Sequence, residues 1–358
     1  MGYVLYLYSH FFLIRDGEAG PIDPQPVSVV ICAKNEADNL RQNLPSILAQ
    51  RYTNAAGKKA FEVIVVNDGS TDDTEKVLNE LSQQYDNLSP VTIPADAVRD
   101  KPGKKYALGK GIEHASHEML LLTDADCKPV SDHWIRTMTA PLHEGKKVVA
   151  GVGRYYEAPG LLNTFIRWET LHSLFQSASY AAAGKPYMAV GRNMACTKAA
   201  FHEAQHSKVW DKLPSGDDDL MMRAVAHSNN TAVVIDTDVQ TLSLAKGTLP
   251  DYVKQKQRHL STGKYYKLSV KLALGAYALS HALSWLLCLV LLLAGNWQLA
   301  LGVMIARCIT YYTIWHAVSQ KIGEKMSFSA FLVGDAGWLV YNFAFAPYIL
   351  FKNKQRWK

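Results

Sequence analysis

Three short runs, VSVVIC (residues 27–32), FEVIVV (61–66) and MLLLT (119–123), are apolar at nearly every position. A strand with one wet face alternates polar and apolar residues. A near-continuous apolar run is what a parallel strand covered on both faces requires. Stretches of helical character separate the runs: residues 35–50, a helix starting around Thr71, and residues 106–115. The second would carry Asp72 and Asp73 in its first turn, where the helix dipole favours negative charge. Alternation of this kind predicts an α/β fold, a mostly parallel sheet with flanking helices. Ligands of such sheets bind beyond the carboxyl ends of the strands. The polar clusters Lys34-Asn35-Glu36, Asn67-Asp68-Gly69 and Asp124-Ala125-Asp126 all fall there.

The rest of the chain is of another kind. Hydrophobic residues make up 48% and charged residues 20% of the 358, an ordinary globular balance, but from about Ser269 onward the sequence turns strongly apolar. Residues 271–294, 297–318 and 328–351 are each long enough to span a bilayer, which takes about 20 residues. Before them, residues 249–267 (LPDYVKQKQRHLSTGKYYK) are basic and aromatic, the composition of helices lying on a membrane surface. The formal net charge of +6 suits an anionic membrane or a phosphorylated substrate. No nucleic-acid recognition motif accompanies it. The five cysteines include no CxxC pair, which argues against a disulfide framework or a zinc site and for reduced thiols. The division expected is an apolar N-terminal segment and linker (1–26), an α/β domain (27–248), amphipathic interfacial helices (249–268), a transmembrane region (269–351) and a basic tail (352–358).

The apolar N-terminal run, residues 3–14, is too short to span. The charge bias of the C-terminal loops sets a conflict. Lys321 and Lys325 put the loop 320–327 inside, and the tail KNKQRWK belongs inside too. Three full spans cannot satisfy both. Asp335, Gly334, Gly337 and Pro347 in the third apolar segment suggest a hairpin or re-entrant path there that does not cross fully.

Four constellations carry chemistry. Asp68, in VVNDGSTDDT, is placed to accept from a base or sugar edge, although Asn-Asp-Gly-Ser is equally good turn chemistry. Asp124 and Asp126 offer the hard oxygens that Mg²⁺ or Mn²⁺ prefers, and such an ion bridges a diphosphate; the competing reading is a solvated loop. Asp217, Asp218 and Asp219 repel one another, which raises pKa values and suits a general base; the competing reading is acids complementing a helix N-terminus. Gln255 and Arg258, in QKQRH, share a helix face that could clamp phosphate or sugar oxygens, or meet lipid headgroups. Glu113, His114, His117 and Glu118 read as a solvated face. Asn87-Leu88-Ser89 and Asn229-Asn230-Thr231 match the N-glycosylation pattern, which has no meaning in a cytosolic domain. Residues 153–187, with Tyr155, Tyr156, Arg167, Trp168 and Glu169, either shape an acceptor site or pack on the membrane.

With ICAKNE, VVNDGSTDDT, TDADC, SGDDDL and QKQRH in this order over roughly residues 27–266, the chain resembles the family-2 glycosyltransferases, which have the GT-A fold. The resemblance implies a nucleotide pocket begun by Ala33, Asn35 and Glu36, with Asp68 on the uracil of a UDP-linked donor. Lys104 or Lys105 would lie near the nucleotide, Asp124 near ribose and diphosphate, and Asp126 on the metal. Asp218 would be the catalytic base; with Asp217 where the family has Glu, and Asp219 beside it, an assignment one residue away stays open. Gln255 and Arg258 resemble members of the QxxRW motif, and with Asp217, Asp219 and His259 they would bind the acceptor or the diphosphate. His259 replaces its Trp, which argues against processive polymer synthesis. The implied reaction is inverting transfer of a sugar to a hydroxyl of a lipid or lipid-linked glycan at the cytosolic membrane face. A nucleotidyltransferase is disfavoured because residues 31–39 contain no glycine for a phosphate loop. A non-catalytic nucleotide-sugar-binding membrane protein is disfavoured by the intact acids.

Overall fold

The computed structural model describes residues 8–14, 24–101, 103–213 and 216–351. The first part of the N-terminal apolar run, part of the proline-rich linker and the basic tail 352–358 lie outside the described residues.

Strands β1 (Val27–Ala33), β2 (Phe61–Asp68), β3 (Leu88–Ile93) and β4 (Met119–Asp124) pair in parallel in the order β3-β2-β1-β4. The sheet continues through β8 (Met194–Thr197), antiparallel to β4, then β6 (Val148–Ala150) and β9 (Thr231–Val233). One face packs Val29, Ile31 and Val65 under Leu40 and Leu44 of α1 (Ala37–Leu48), Val77 of α2 (Thr74–Gln84) and Trp134 of α4 (Trp134–His143). The other packs Val30, Ile64 and Leu120 under Ile112 of α3 (Lys104–His114), Phe201 of α6 (Lys198–Gln205) and Met221 of α7 (Asp217–Val225). Both faces being covered explains the continuous apolar runs. Their two polar interruptions satisfy each other: the Ser28 hydroxyl donates to Glu62 at 2.6 Å.

A small second sheet has the order β5-β10-β7: β5 (Lys128–Pro129), β10 (Thr241–Ser243) and β7 (Gly153–Tyr155). Because β5 follows directly on Asp126 and Cys127, this sheet supports the Asp124–Asp126 turn.

Two helix boundaries differ from expectation. The second helix begins at Thr74, so Asp72 and Asp73 precede its first turn. Asp72 instead accepts from the Ala37 and Thr74 amides, tying the turn to α1. The third begins at Lys104, after Gly103 at φ +60° turns the chain sharply into it. All five cysteines are free.

The long helix α5 (Leu161–Ala182) is buried along most of its length. After it come α8 (Leu249–Leu260), α9 (Leu268–Leu293), α10 (Trp297–Ile322) and α11 (Phe328–Phe351). Among the described residues, two stretches are long and apolar enough to cross a membrane, Leu268–Leu293 and Phe328–Phe345. The 26 residues of α10 reach the length but carry Arg307 and Lys321. The expected hairpin in the third segment does not form: α11 is one unbroken helix. Its polar and small residues have other uses. Asp335 is neutralised by Arg307 of α10 at 2.7 Å and bonded by His281 of α9 at 2.9 Å. Gly334 and Gly337 admit the rings of Trp168 and Phe165; a Cβ at Gly334 would lie 2.1 Å from Trp168 Cγ.

Candidate active site

The carboxyl ends of β1, β2 and β4 converge as the parallel sheet requires. Cys32 and Asp124 are register partners across β1 and β4, and Ala33 pairs with Asn67 across β1 and β2. The β1 and β2 turns are laced together. Asn35, with φ +55° the one non-glycine residue at positive φ among the described residues, accepts from the Thr71 amide at 2.8 Å and donates its own amide to the Ser70 hydroxyl at 2.9 Å. The Glu36 amide donates to the Thr74 hydroxyl, and the Glu36 carboxylate accepts from Asn39 at 2.5 Å.

Within NDGS the labour divides. Asn67 makes the turn, its side chain accepting from the Ser70 amide at 3.2 Å. Asp68 is fully buried, with Arg99 2.7 Å from Oδ1. Beyond that ion pair, neither oxygen of Asp68 has a hydrogen-bond donor among the described residues. A buried carboxylate with unmet acceptors suits a ligand that supplies N–H or O–H groups.

At the end of β4, Asp124 accepts from Lys104 Nζ at 2.5 Å, and Asp217 lies 4.0 Å from the same ammonium. Desolvation works to raise the Asp124 pKa, but Lys104, Arg192 and Arg258 outweigh it and hold the carboxyl below its ordinary value. Lys104 is pushed well above the usual lysine value: desolvation opposes this, and Asp124 and Asp217 overcome it. Asp126 accepts from the Cys127 thiol at 3.4 Å and makes no ion pair among the described residues. No group of three or more His, Cys, Asp or Glu among the described residues forms a complete metal cage. The donor set therefore fits a hard cation held by one or two carboxylates and completed by ligand phosphate and water, the usual arrangement for Mg²⁺.

The three successive acids at the start of α7 point three ways. Asp217 faces Lys104. Asp218 accepts from the Gly191 amide at 2.9 Å and from the Asp219 amide at 2.9 Å. Desolvation and the neighbouring Asp217 charge push its pKa up to about 6 against those two bonds. Asp219 is turned away, accepting from the hydroxyls of Thr262 at 2.5 Å and Tyr266 at 2.9 Å. That places it as a strut to the segment leading into α9, not with the diphosphate or acceptor groups where it was expected. Lys105 is similarly displaced. It is buried and donates to the carbonyls of Trp210 and, at 2.8 Å, Leu213, so Lys104 alone of the pair reaches the cleft. Burial pushes the Lys105 pKa down to about 8.

On α8, Gln255 donates to the Tyr155 hydroxyl at 3.3 Å, and its own carbonyl oxygen is buried without a partner among the described residues. Arg258 lies within electrostatic reach of Asp124. His259 is exposed on the helix surface. Lys256 pairs with buried Glu169 of α5, so α8 is docked on the α/β domain.

Arg192 was not legible beforehand. Its guanidinium lies on the Tyr155 ring, 4.2 Å from the centroid, and donates to Ser243 Oγ at 2.8 Å and the Gly153 carbonyl at 3.1 Å. It is within electrostatic reach of Asp124 and Asp126. Arg99 was missed likewise. Neither belongs to a spacing pattern; both reach the cleft from loops distant in sequence.

The sequence matches Glycosyl transferase family 2 over residues 28–203 and Glycosyl transferase family group 2 over residues 120–320. The chain belongs to the family-2 glycosyltransferases and has their GT-A fold. The mannosyltransferase PcManGT of Pyrobaculum calidifontis superposes with a TM-score of 0.58 over 95% of each chain at 18% identity. Glycosyltransferase AglE of Haloferax volcanii is 33% identical over 128 residues, 36% of each chain. Beta-monoglucosyldiacylglycerol synthase of Nostoc sp. is 31% identical over 124 residues, 35% of this chain and 25% of that one. The chain thus spans about a third or less of the length of these curated relatives.

Proposed function

We propose that the chain transfers a sugar, with inversion, from a nucleotide-sugar donor to a hydroxyl of a lipid or lipid-linked glycan at the cytosolic face of a membrane. The observation that carries this reading is the meeting of Lys104, Asp124, Asp217 and Asp218 at the carboxyl end of a GT-A sheet. Asp68 binds the donor's base, with Ala33, Asn35 and Glu36 forming the adjoining pocket wall; the buried, unmet oxygens of Asp68 support this. The donor is read as UDP-linked. PcManGT was solved with GDP-Man and Mn²⁺, so guanine donors are to be compared with it.

Asp124 orients the ribose and diphosphate while neutralised by Lys104. Asp126 would hold Mg²⁺ or Mn²⁺, and the ion, when bound, supplies charge stabilisation to the departing diphosphate. Lys104 and Arg258 add fixed positive charge on the same side. Asp218, oriented by the Gly191 amide, takes the proton from the acceptor hydroxyl as its oxygen attacks the anomeric carbon. A pKa of about 6 leaves it ionised at neutral pH and basic enough to accept a proton. Gln255 and Tyr155 border the acceptor side.

Membrane attachment is supported by α9, whose Leu272, Leu279, Leu283, Leu286 and Leu287 are all more than half exposed. An acceptor carried in the bilayer would meet the cleft beside α8. Asp126→Ala is expected to abolish the Mn²⁺-dependent part of nucleoside diphosphate release; release that keeps its full metal dependence would refute the assignment.

A further inference from the structure

The loop between α10 and α11 is built into the α/β domain. Gly323, at φ +71°, ends α10 and turns Glu324 inward, where it is 4% exposed. One oxygen of its carboxylate accepts from Arg154 at 2.9 Å, and the other from Arg167 Nε at 2.7 Å. Arg154 also donates to the Gly323 carbonyl at 3.0 Å, and Gln240 donates to the Ile322 carbonyl at 3.0 Å. The Arg167 guanidinium adds a second bond to Glu324 and one to the Lys325 carbonyl at 3.1 Å, so six hydrogen bonds from three side chains fix this loop on the domain.

Arg154 is the middle residue of β7. The Gly153 carbonyl of that strand receives the Arg192 guanidinium, and the Tyr155 ring lies beneath it. The main chain at Arg192 reaches both acid clusters. The Arg192 carbonyl accepts from Thr123, one residue before Asp124, at 2.8 Å, and the Gly191 amide donates to Asp218 at 2.9 Å. Contacts and covalent neighbours therefore link Glu324 through Arg154, β7 and Arg192 to Thr123, beside Asp124, and through Gly191 to Asp218.

We propose that Glu324 is a positioning residue for the cleft, so that docking of the C-terminal helices sets the geometry in which Asp124 engages the nucleoside diphosphate of the donor and Asp218 faces the acceptor. The proposal rests on the donor reading given above. The alternative is a buried ion pair that contributes only to folding. The two differ in what a folded variant does: a positioning residue changes ligand affinity in molecules that are still folded.

The test is calorimetric titration of UDP, and separately GDP, into the full chain in detergent with Mn²⁺ present. Glu324→Gln, Arg154→Met and the double variant are compared with the unsubstituted chain, and the folded fraction is followed by circular dichroism. Each single variant is expected to bind the nucleotide about tenfold more weakly. The double variant should be no weaker than the singles, as for residues on one path. Glu324→Asp, which keeps the charge, should recover part of the loss. Should Glu324→Gln fail to fold, Arg154→Met carries the same expectation, because it leaves the Glu324–Arg167 pair in place. Unchanged affinity in the folded variants, or additive losses, overturns this proposal alone. Absence of binding by the unsubstituted chain overturns the donor reading and this proposal with it.

Discussion

At the residue scale, Asp218 is the group whose environment says most about its work. Its pKa, pushed up to about 6, has consequences of opposite sign for activity and stability. In the proposed role of base, Asp218 works as the anion, so kcat/KM is expected to fall about tenfold per pH unit below 6. Stability runs the other way. The unfolded chain ionises this group near pH 4 and the folded chain only near 6, so folding takes up a proton in that window and stability declines as pH rises through it. Above it, the folded chain holds a disfavoured anion. Asp218→Asn is therefore expected to raise unfolding stability at pH 7 by about 1–2 kcal/mol while lowering turnover at least about a hundredfold. A thermal melt and a pH–rate profile check the pair; a destabilised Asn variant with a flat profile would count against the assignment.

Legibility divides along a physical line at this scale. Asp68, Asp124 and Asp218 stand at strand and helix ends, and those ends are written locally, in apolar runs and the polar residues that stop them. Lys104 and Lys105 were indistinguishable in sequence, because one residue on a helix is a 100° turn and only the packing of Trp210 and Leu213 decides which side chain is enclosed. Arg192 was invisible because its partners, Gly153, Tyr155 and Ser243, are brought to it only by the small sheet.

At the scale of elements, β1, β2 and β4 were readable to within a residue or two; β3, with only Leu88 and Ile93 buried, was not, and the helix starts lay two to three residues off. Side-chain ties such as Asp72 to the Ala37 amide hold residues 71–73 out of helix, and no periodicity records them. The third apolar segment is the sharper lesson. Glycine and aspartate inside an apolar run suggested a break, yet both serve packing. Gly334 lets α11 meet the Trp168 ring of α5, and Asp335 is compensated by Arg307 and His281. A side chain at residue 334 has no room, and the atoms it would strike belong to a ring buried on all sides. Gly334→Leu is expected to destabilise the chain by about 1–3 kcal/mol. Val340→Leu, at an exposed position of the same helix, should be neutral within about 0.5 kcal/mol. Denaturant unfolding in detergent distinguishes the two; equal stability would show that the α5–α11 contact is not close-packed.

Over the whole molecule, the catalytic domain and the C-terminal helices are not two independent bodies. Glu324, just before α11, meets Arg154 and Arg167, while Tyr341 packs near Phe165, whose ring also lies against Tyr252 of α8. From its start at Phe328 to Tyr341, α11 runs about 20 Å of helix. A helix that carried its far end across a hydrocarbon layer of about 30 Å would lose such contacts. We propose that α11 lies along the catalytic domain rather than crossing, an arrangement that would remove the conflict in charge bias. A reporter tag at the C-terminus should be protected from protease in sealed right-side-out vesicles and become accessible on permeabilisation; cleavage without permeabilisation would mean that α11 crosses.

The central claim is that this cleft transfers sugar from a nucleotide donor with Asp218 as the base. It is tested most directly by nucleoside diphosphate release from a panel of UDP- and GDP-sugars. The assay uses the full chain in detergent with Mn²⁺ and a membrane lipid extract as acceptor source. Release from at least one donor is expected, abolished by chelator and by Asp218→Asn. No release from any donor, or release that survives Asp218→Asn undiminished, would contradict it.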